Sequence, residues 1–474
     1  MRINNSLNKL FLLWIFILYT YVSKAQFLKE LTLSETEFIS VITKFHPVIQ
    51  QSDIAMNIAK SNLLISRGAF DPNFNYSIDK KTFDGRNYFN YINPEINIPT
   101  WYGVELKAGM EDNIGFNTNP ELTKGISSYI GIKVPLAKNL LLDNRRASLQ
   151  QAKLFVGLSK IEKNIIINNL FNEALIAYWN WVKEWNNLKV INQIIDVNEK
   201  RLQNVRIILQ QGDIPALDTV EALSQLQNFV LQKQDIELSL VKSTYELSNF
   251  LWLNNKVPFD LNSQIIPAED LRTSILTKKE VPALNDLITN TLTNHPKLTA
   301  FEYKLQVLDI DKKLSFQSLL PSVYLKANIL NEGYYAWQGL SSSLIENNYK
   351  FGLDIKIPLR LSEGRGKYKA AQLKINNTEL EFQQIKLEIE NKVKASFKEV
   401  IILKNQIEIA QKNIENYKRL FKGEETKFNI GESNLFILNI RENKLLDFQL
   451  KLIDLQTKYL KATVNLIGAT GQLK

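Results

Sequence analysis

Histidine and cysteine, the side chains most often used in metal sites and acid–base catalysis, are scarce in this sequence. It contains two histidines, His46 and His295, and no cysteine. A structural zinc site needs about four nitrogen or sulfur ligands, so two distant histidines make a poor one. Each histidine precedes a proline, Pro47 or Pro296, and the residue before a proline disfavours helical angles. We therefore interpret both His-Pro pairs as joints between helices and expect no metal or other cofactor.

Carboxylates beside two glycine turns are the remaining candidates for chemistry. Asp218 and Glu221 follow Gly212-Asp213, and Gly431-Glu432 occupies the equivalent place later in the chain. The sequence has no phosphate-binding loop, nucleophile elbow or Cys/His constellation, and a lone helical carboxylate is usually a solvated side chain. We therefore expect that this protein is not an enzyme. We predict that the turns between long helices form a tip at Gly212, Asp213, Gly431 and Glu432, with Asp218 and Glu221 as candidate tip or gate residues.

The first 25 residues have the composition of a targeting segment. Arg2 and Lys9 precede a 13-residue apolar run, Leu10 to Val22, and small residues follow it. A helix that spans a membrane needs roughly 20 residues, so we predict a cleaved signal peptide over residues 1–25. Cleavage would remove three positive charges and lower the net charge from +9 to +6. So small a surplus on a long chain does not indicate binding to nucleic acid.

Six ordered matches between the two halves indicate an internal duplication. The His-Pro pairs are 249 residues apart, and so are Pro72 and Pro321. Ile132-Lys133-Val134-Pro135-Leu136 matches Ile355-Lys356-Ile357-Pro358-Leu359 at a shift of 223. The pairs that share a shift of 219 are Arg146 with Arg365, Ala152 with Ala371, and Gly212 with Gly431. Repeated order at nearly constant spacing is typical of duplicated folds. We predict strand-to-helix junctions at Pro135, Arg146, Pro358 and Arg365.

Strict alternation of apolar and polar residues predicts strands in both copies. The alternating apolar residues are Val104, Leu106, Ala108 and Met110 in the first copy, and Val323, Leu325, Ala327 and Ile329 in the second. Such strands have one apolar and one polar face. A half-buried soluble sheet gives the same pattern as a membrane strand. The signal peptide and the abundant Tyr and Trp favour the membrane alternative, with an apolar exterior and a wet lumen.

Two proline-free stretches predict very long helices. Asp143 to Gln211 and Gly366 to Ile430 would each extend roughly 100 Å as helices. In the second, apolar residues recur every seven positions at Val393, Val400, Ile407, Ile414 and Phe421. Sustained heptads indicate coiled-coil packing against neighbouring helices.

These patterns divide the chain into four segments. After the signal peptide, residues 26–254 form the first copy, with strands at about 73–135 and a long helix at about 143–211. Residues 255–282 connect the copies, and residues 283–474 form the second, with strands at about 322–359 and a long helix at about 366–430. Pro135 lies 63 residues after Pro72, whereas Pro358 lies only 37 after Pro321. The extra length shows alternation of its own, and it is either an added hairpin or an external loop.

The ordered set of His-Pro joints, Pro-Leu junctions and glycine turns resembles the TolC family of outer-membrane efflux proteins. Gly212, followed six residues later by Asp218, resembles the family's tip turn, and Gly431 begins its partner. At the family's acidic tip positions this chain has Ile437 and Ile440 in the second copy, so the gating contacts must differ.

The resemblance implies a mainly α-helical protein with a membrane β-barrel section, made by three protomers. A long antiparallel coiled-coil helical barrel would cross the periplasm, below twelve strands in the outer membrane of a Gram-negative bacterium, or more if the extra hairpin joins. It implies a passive exit duct of a tripartite efflux or secretion system, with a periplasmic adaptor protein and an inner-membrane pump of the RND or ABC type. The alternative is a periplasmic or surface coiled-coil interaction protein without a channel.

Overall fold

The structure, a computed structural model, describes residues 31–119, 122–212, 214–261, 264–277, 282–333 and 348–473. The predicted signal peptide and Asp213 lie outside these residues. The described chain is mainly helical with a sheet section, as the sequence predicted. None of its helices is both long and apolar enough to cross a lipid bilayer.

The elements follow a simple order along the chain. They are β1 (Leu31–Leu33), α1 (Glu35–Phe45), α2 (Pro47–Gly68), β2 (Asn73–Phe83), β3 (Arg86–Pro99), β4 (Glu105–Ile114), β5 (Gly125–Pro135), α3 (Asn144–Gln211), α4 (Ala216–Ser248), β6 (Trp252–Leu253), β7 (Val257–Pro258), β8 (Ile265–Pro267), α5 (Leu271–Thr277), α6 (Leu284–Asn294), α7 (Pro296–Gln317), β9 (Ser322–Glu332), β10 (Tyr349–Lys356), α8 (Ser362–Asn429) and α9 (Leu435–Ala469).

Local chemistry sets the helix ends at the first joint. Helix α1 begins at a capping box, in which Ser34 and Glu37 each accept a hydrogen bond from the backbone N–H of the other. It ends at His46, and α2 begins directly at Pro47, whose missing N–H has no helical partner to lose. The second half repeats this joint between α6 and α7, at His295 and Pro296.

The largest sheet has six antiparallel strands in the order β10-β9-β5-β4-β3-β2. Strand β2 follows α2 as β9 follows α7, and β5 precedes α3 as β10 precedes α8. The hairpin β3–β4 is therefore the additional part of the first half. It pairs with β2 on one side and with β5 on the other. Of the two alternatives that the sequence left open, the added hairpin is correct for this segment.

One face of this sheet is apolar across all six strands. The row Phe74, Ile96, Ala108, Ile130, Ile329 and Tyr349 joins one residue from each strand to the next. Several of these side chains are largely exposed, including 67% of Phe74 and 68% of Tyr349. Because successive residues point to opposite faces, most charged residues of the same strands lie on the other side. Lys80 on β2 and Asp112 on β4, which share the face of the apolar row, are exceptions.

The helices α3 and α8 contain 68 residues each, and the shorter α4 and α9 follow them after glycine turns. Near these turns all four helices contribute to one apolar cluster. Its buried members are Leu202, Val205, Ala222, Leu435 and Leu438, and Phe421 and Phe428 pack against them. Both long helices therefore bury apolar residues close to the glycine turns.

The segment between the two halves folds back onto the start of the chain. Strand β8 pairs in parallel with β1. After β8, the Glu269 carboxylate accepts hydrogen bonds from the backbone N–H of Glu35 and from the Tyr178 hydroxyl. Tyr178 is fully buried, and burial together with the Glu269 carboxylate raises the pKa of its hydroxyl. The connecting segment is thus tied to α1 and α3.

Contacts divide the chain into two compact units that cut across the sequence copies. One contains the six-stranded sheet with α2, α7 and the adjoining ends of the long helices, over the described residues of 48–169, 282–395 and 467–473. The other contains the glycine turns and the connecting segment, over the described residues of 31–47, 170–277 and 396–466. Each unit draws on both halves of the sequence.

Candidate functional site

The two predicted glycine turns lie at the ends of α3 and α8. Gly431 has a φ of +80°, and the backbone N–H of Glu432 donates to Lys427 O at 2.8 Å while that of Gly431 donates to Phe428 O at 3.1 Å. This pair of bonds is a Schellman motif, which favours glycine at the left-handed position. Gly212 has a φ of +87°, and its N–H donates to Leu209 O at 2.9 Å.

Asp218 lies in the first turn of α4, where the N-terminal end of a helix favours negative charge. It is half-buried, and within the described part of the chain it makes no ion pair. Arg206, the basic residue near the end of α3, is exposed and has no ion pair with it there. Glu221 differs, because its Oε1 accepts a hydrogen bond from Asn439 Nδ2 of α9 at 3.2 Å. Glu221 therefore links α4 to α9, whereas Asp218 lies at the start of α4.

One turn further along, a second polar pair links the same two helices. Gln225 and Asn443 exchange amide hydrogen bonds of 2.7 and 3.4 Å. Together with Glu221 and Asn439, this pair forms a ladder with a spacing of four residues on both α4 and α9. Such a spacing places successive pairs on one helix face and fixes how the two helices align.

A buried ion pair between α3 and α9 was missed by the sequence analysis. Arg201 donates from both guanidinium NH groups to the carboxylate of Glu442, at 2.7 and 2.9 Å, and Asn198 Nδ2 donates to the same carboxylate at 3.1 Å. The side chains of Arg201 and Glu442 are only 11% and 5% exposed. The sequence does contain a clue to this pair. Glu442 lies at helical spacing among Leu435, Leu438 and Leu446, the buried leucines of α9, and a glutamate on a buried helix face needs a partner.

The predicted strand-to-helix junctions are not equivalent in the two halves. Arg146 is mostly buried, and its guanidinium donates to Asn139 O at 2.5 Å and to Leu140 O at 3.1 Å while pairing with Asp143. Arg365, its match in the second half, is exposed. Pro135 is likewise buried, whereas Pro358 is exposed. The sequence match at these positions therefore does not extend to the same contacts.

The two histidines sit in the helix joints, both largely buried. His295 Nδ1 accepts a hydrogen bond from the backbone N–H of Lys297 at 3.1 Å, which caps α7. Burial, with the positive Lys297 and Lys392 nearby, lowers the pKa of His295 to about 4. Burial also lowers the pKa of His46, whose ring packs against Phe250 and Trp252. Among the described residues, no three His, Asp or Glu side chains converge as a metal site.

On the polar face of the sheet, charged side chains form cross-strand pairs. Lys107 Nζ and the Tyr129 hydroxyl both donate to the Glu95 carboxylate, at 2.9 and 2.7 Å. Lys133 and Arg145 both pair with Glu105. The pair Lys326–Asp354, at 2.7 Å, continues this row on β9 and β10. One face thus presents most of the charged side chains of the sheet, and the other presents mainly aliphatic and aromatic side chains.

The second half of the chain matches a known protein family. Residues 287–472 match the family described as outer membrane efflux protein. No curated protein matches the sequence significantly.

Solved structures extend the comparison to almost the whole chain. The open state of the MtrE outer membrane channel of Neisseria gonorrhoeae has a TM-score of 0.68 at 13% identity, with 93% of this chain and 89% of that chain covered. The CmeC outer membrane channel of Campylobacter jejuni gives 0.66 at 13% identity, with coverages of 93% and 86%. The outer membrane protein VceC of Vibrio cholerae gives 0.65 at 12% identity, with coverages of 93% and 97%.

All of these matches are with outer-membrane proteins, in agreement with the predicted location. The chain therefore shares its fold with solved outer-membrane channels, and its residues 287–472 carry the sequence pattern of the outer membrane efflux protein family, as its resemblance to the TolC family predicted.

Proposed function

We propose that this protein is the outer-membrane channel of a tripartite efflux or secretion system, and that three copies form a passive conduit. The observation that carries the proposal is the exposed apolar face of the six-stranded sheet, opposite a charged face. A soluble sheet would bury such a face against another layer, whereas lipid covers it in a membrane sheet.

The assembly follows from the same face and from the sheet edges. Among the described residues, the outer edges of β2 and β10 have no neighbouring strand in the sheet. Unpaired edges in lipid would leave backbone N–H and C=O groups without partners, which costs several kcal/mol per group. Closure with further copies of the chain satisfies these groups. The homotrimer is the arrangement that the family resemblance implies.

We place the glycine turns at the periplasmic end, where they meet an adaptor protein that links the channel to an inner-membrane pump. Support comes from the fold shared with channels and from the length of the helices, since 68 residues of α-helix span roughly 100 Å. The carboxylates Asp218 and Glu221 and the turns at Gly212 and Gly431 are the proposed docking and gating residues. The solutes would be selected by the pump.

Reconstitution tests the conduit directly. Purified full-length protein in detergent, added to a planar lipid bilayer, should give discrete steps of ionic current and should sediment as a trimer. Protein that is soluble and folded without detergent, and that gives no current steps, would favour the alternative of a coiled-coil interaction protein. Protein that conducts as a monomer would contradict the proposed assembly alone.

A further inference from the structure

We propose that the added hairpin β3–β4 is a full part of the membrane wall, so that three sheets of six strands close into an eighteen-stranded barrel. The closing contact joins the β2 edge of one copy to the β10 edge of the next. This inference rests on the proposed function, because it assumes a trimeric channel. The barrel would then have half as many strands again as the twelve that four strands per chain would provide.

The hairpin is built into the sheet by side chains as well as by its backbone. The Tyr129 ring on β5 crosses β4 at Gly109 and brings its hydroxyl to Glu95 on β3, at 2.7 Å. A Cβ on Gly109 would lie 2.6 Å from this ring, so the absence of a side chain there makes the crossing possible. Lys107 on β4 binds the same carboxylate. Three adjacent strands are thus linked on the polar face, which an external loop would not require.

The turn of the hairpin is also fixed to the start of the long helix. Arg146, in the first turn of α3, lies against Gly103, where a Cβ would be 2.8 Å from its guanidinium. Trp101 in the same turn stacks on Phe70 with ring centroids 4.4 Å apart, and the neighbouring Tyr102 is 83% exposed. Exposed Trp and Tyr side chains at the end of a membrane strand are typical of the aromatic girdle at a lipid interface.

The apolar row of the sheet passes through the hairpin without interruption. Ile96 on β3 pairs with Phe74 on β2 and with Ala108 on β4, which pairs in turn with Ile130 on β5. Ile96 and Leu106 are each 42% exposed, similar to Ile130 on the neighbouring strand at 41%. The hairpin therefore has the same lipid-compatible face as the strands that flank it.

The alternation of apolar residues and the positions of charged residues favour one register between β2 of one copy and β10 of the next. If Asn73, the first residue of β2, lies opposite Lys356, the last residue of β10 in the next copy, then Asp79 pairs with Lys350. In the same register Lys80 pairs with Tyr349. The apolar faces stay continuous because Phe74, Tyr76 and Ile78 then oppose odd-numbered apolar residues of β10. Opposite charges directly across two strands stabilise a pairing, and a slip of one residue would put apolar side chains in the lumen.

This register also gives a strand tilt within the range of known membrane barrels, about 35–45°. The row that starts at Phe74 of one copy leaves its sheet at Tyr349 and meets the next copy at Lys80, a shift of six residues for six strands. A shift of one residue per strand corresponds to a tilt of about 36°. Eighteen strands at this tilt form a barrel with a backbone diameter of about 33 Å, against about 22 Å for twelve strands.

Single cysteines can show whether the hairpin lines the lumen, because the natural chain contains none. The variants Leu106→Cys and Lys107→Cys place a thiol on the apolar and polar faces of β4. Leu325→Cys and Lys326→Cys are the matched controls on β9. With the full-length protein in outer membranes, we expect a water-soluble maleimide to label each lysine position at least about tenfold faster than its leucine neighbour. A membrane-soluble pyrene maleimide should show the opposite preference.

The two strands give distinguishable outcomes. Alternation on β9 together with equal aqueous labelling of both β4 positions would place the hairpin outside the wall and overturn this inference, while the channel would stand. Equal aqueous labelling on β9 would overturn the proposed channel itself. Alternation on both strands supports both.

Cross-linking tests the closing edge and its register. A short bis-maleimide should join copies of the double variant Ser77→Cys/Gly352→Cys into covalent oligomers on a denaturing gel. Ser77→Cys/Leu353→Cys, whose thiols would point to opposite faces, is the matched control and should remain mostly monomeric. Equal cross-linking of the two variants, or none of either, would contradict the proposed edge.

Discussion

The guanidinium of Arg201 on α3 and the carboxylate of Glu442 on α9 form a two-point ion pair inside the helical region, at 2.7 and 2.9 Å. Its position between two helices that are far apart in sequence makes it a specific test of the packing near the glycine turns.

Removal of one partner should destabilise the protein. Glu442→Gln or Arg201→Met leaves an uncompensated buried charge or polar group, which typically costs about 3–5 kcal/mol. The thermal unfolding midpoint of the purified protein in detergent should fall for either variant and recover in Arg201→Met/Glu442→Leu. Lys444→Met, which removes an exposed pair with Asp447, should leave the midpoint unchanged. Additive losses in the double variant would show that the two side chains act independently.

A β-branched side chain at position 431 should strain the turn between α8 and α9. The space around a Cβ there is open, so the cost comes from the positive φ and should be about 1–2 kcal/mol. We expect Gly431→Val to insert normally into the outer membrane and to impair adaptor docking and export. Gly423→Ala, in the interior of α8, is the control and should preserve export. Cells that export normally with Gly431→Val would exclude a docking role for the turn.

Asp218 should control the current through the tip. Three copies would form a ring of carboxylates if these side chains face the lumen, and such a ring attracts divalent cations. Asp218→Asn should therefore change single-channel conductance and its response to millimolar divalent cations in planar bilayers. Glu221→Gln is the comparison, since Glu221 is held by Asn439 of α9. Identical currents for wild type and Asp218→Asn, with and without divalent cations, would remove Asp218 from the gate.

The buried His295 should make the joint between α6 and α7 sensitive to acid. Its pKa is lowered to about 4 in the folded protein, below the ordinary value of about 6.5 in the unfolded chain. The unfolded state then binds more protons as the pH falls from 6.5 to 4, so stability is present above 6.5 and is lost across this window, by on the order of 3 kcal/mol.

His295→Asn isolates this effect, because asparagine also accepts a hydrogen bond at a helix start but does not titrate. Unfolding midpoints measured between pH 7 and pH 4 should fall less steeply for the variant than for wild type. Parallel pH profiles would assign the acid sensitivity to other groups.

The sequence was sufficient for the class of structure and insufficient for its contacts. Proline joints and long proline-free stretches depend on local backbone preferences, so they could be predicted from neighbouring residues. The pairing of β3–β4 within the sheet depends on partners such as Tyr129 and Glu95, which lie 34 residues apart. The difference between Arg146 and Arg365 is of the same kind, since the turn that Arg146 contacts belongs to the added hairpin β3–β4.

Completion of the six-stranded sheet requires its one pairing between strands that are far apart in sequence. The meander β2 to β5 pairs strands that are close in sequence, whereas β5 pairs with β9 between positions such as Pro135 and Tyr324, with the whole of α3 and α4 between them. Loop closure of that length must precede any gain from the pairing, so it is expected to be slow. The meander can therefore form early, and the edge of β5 stays open to wrong partners until the second hairpin arrives.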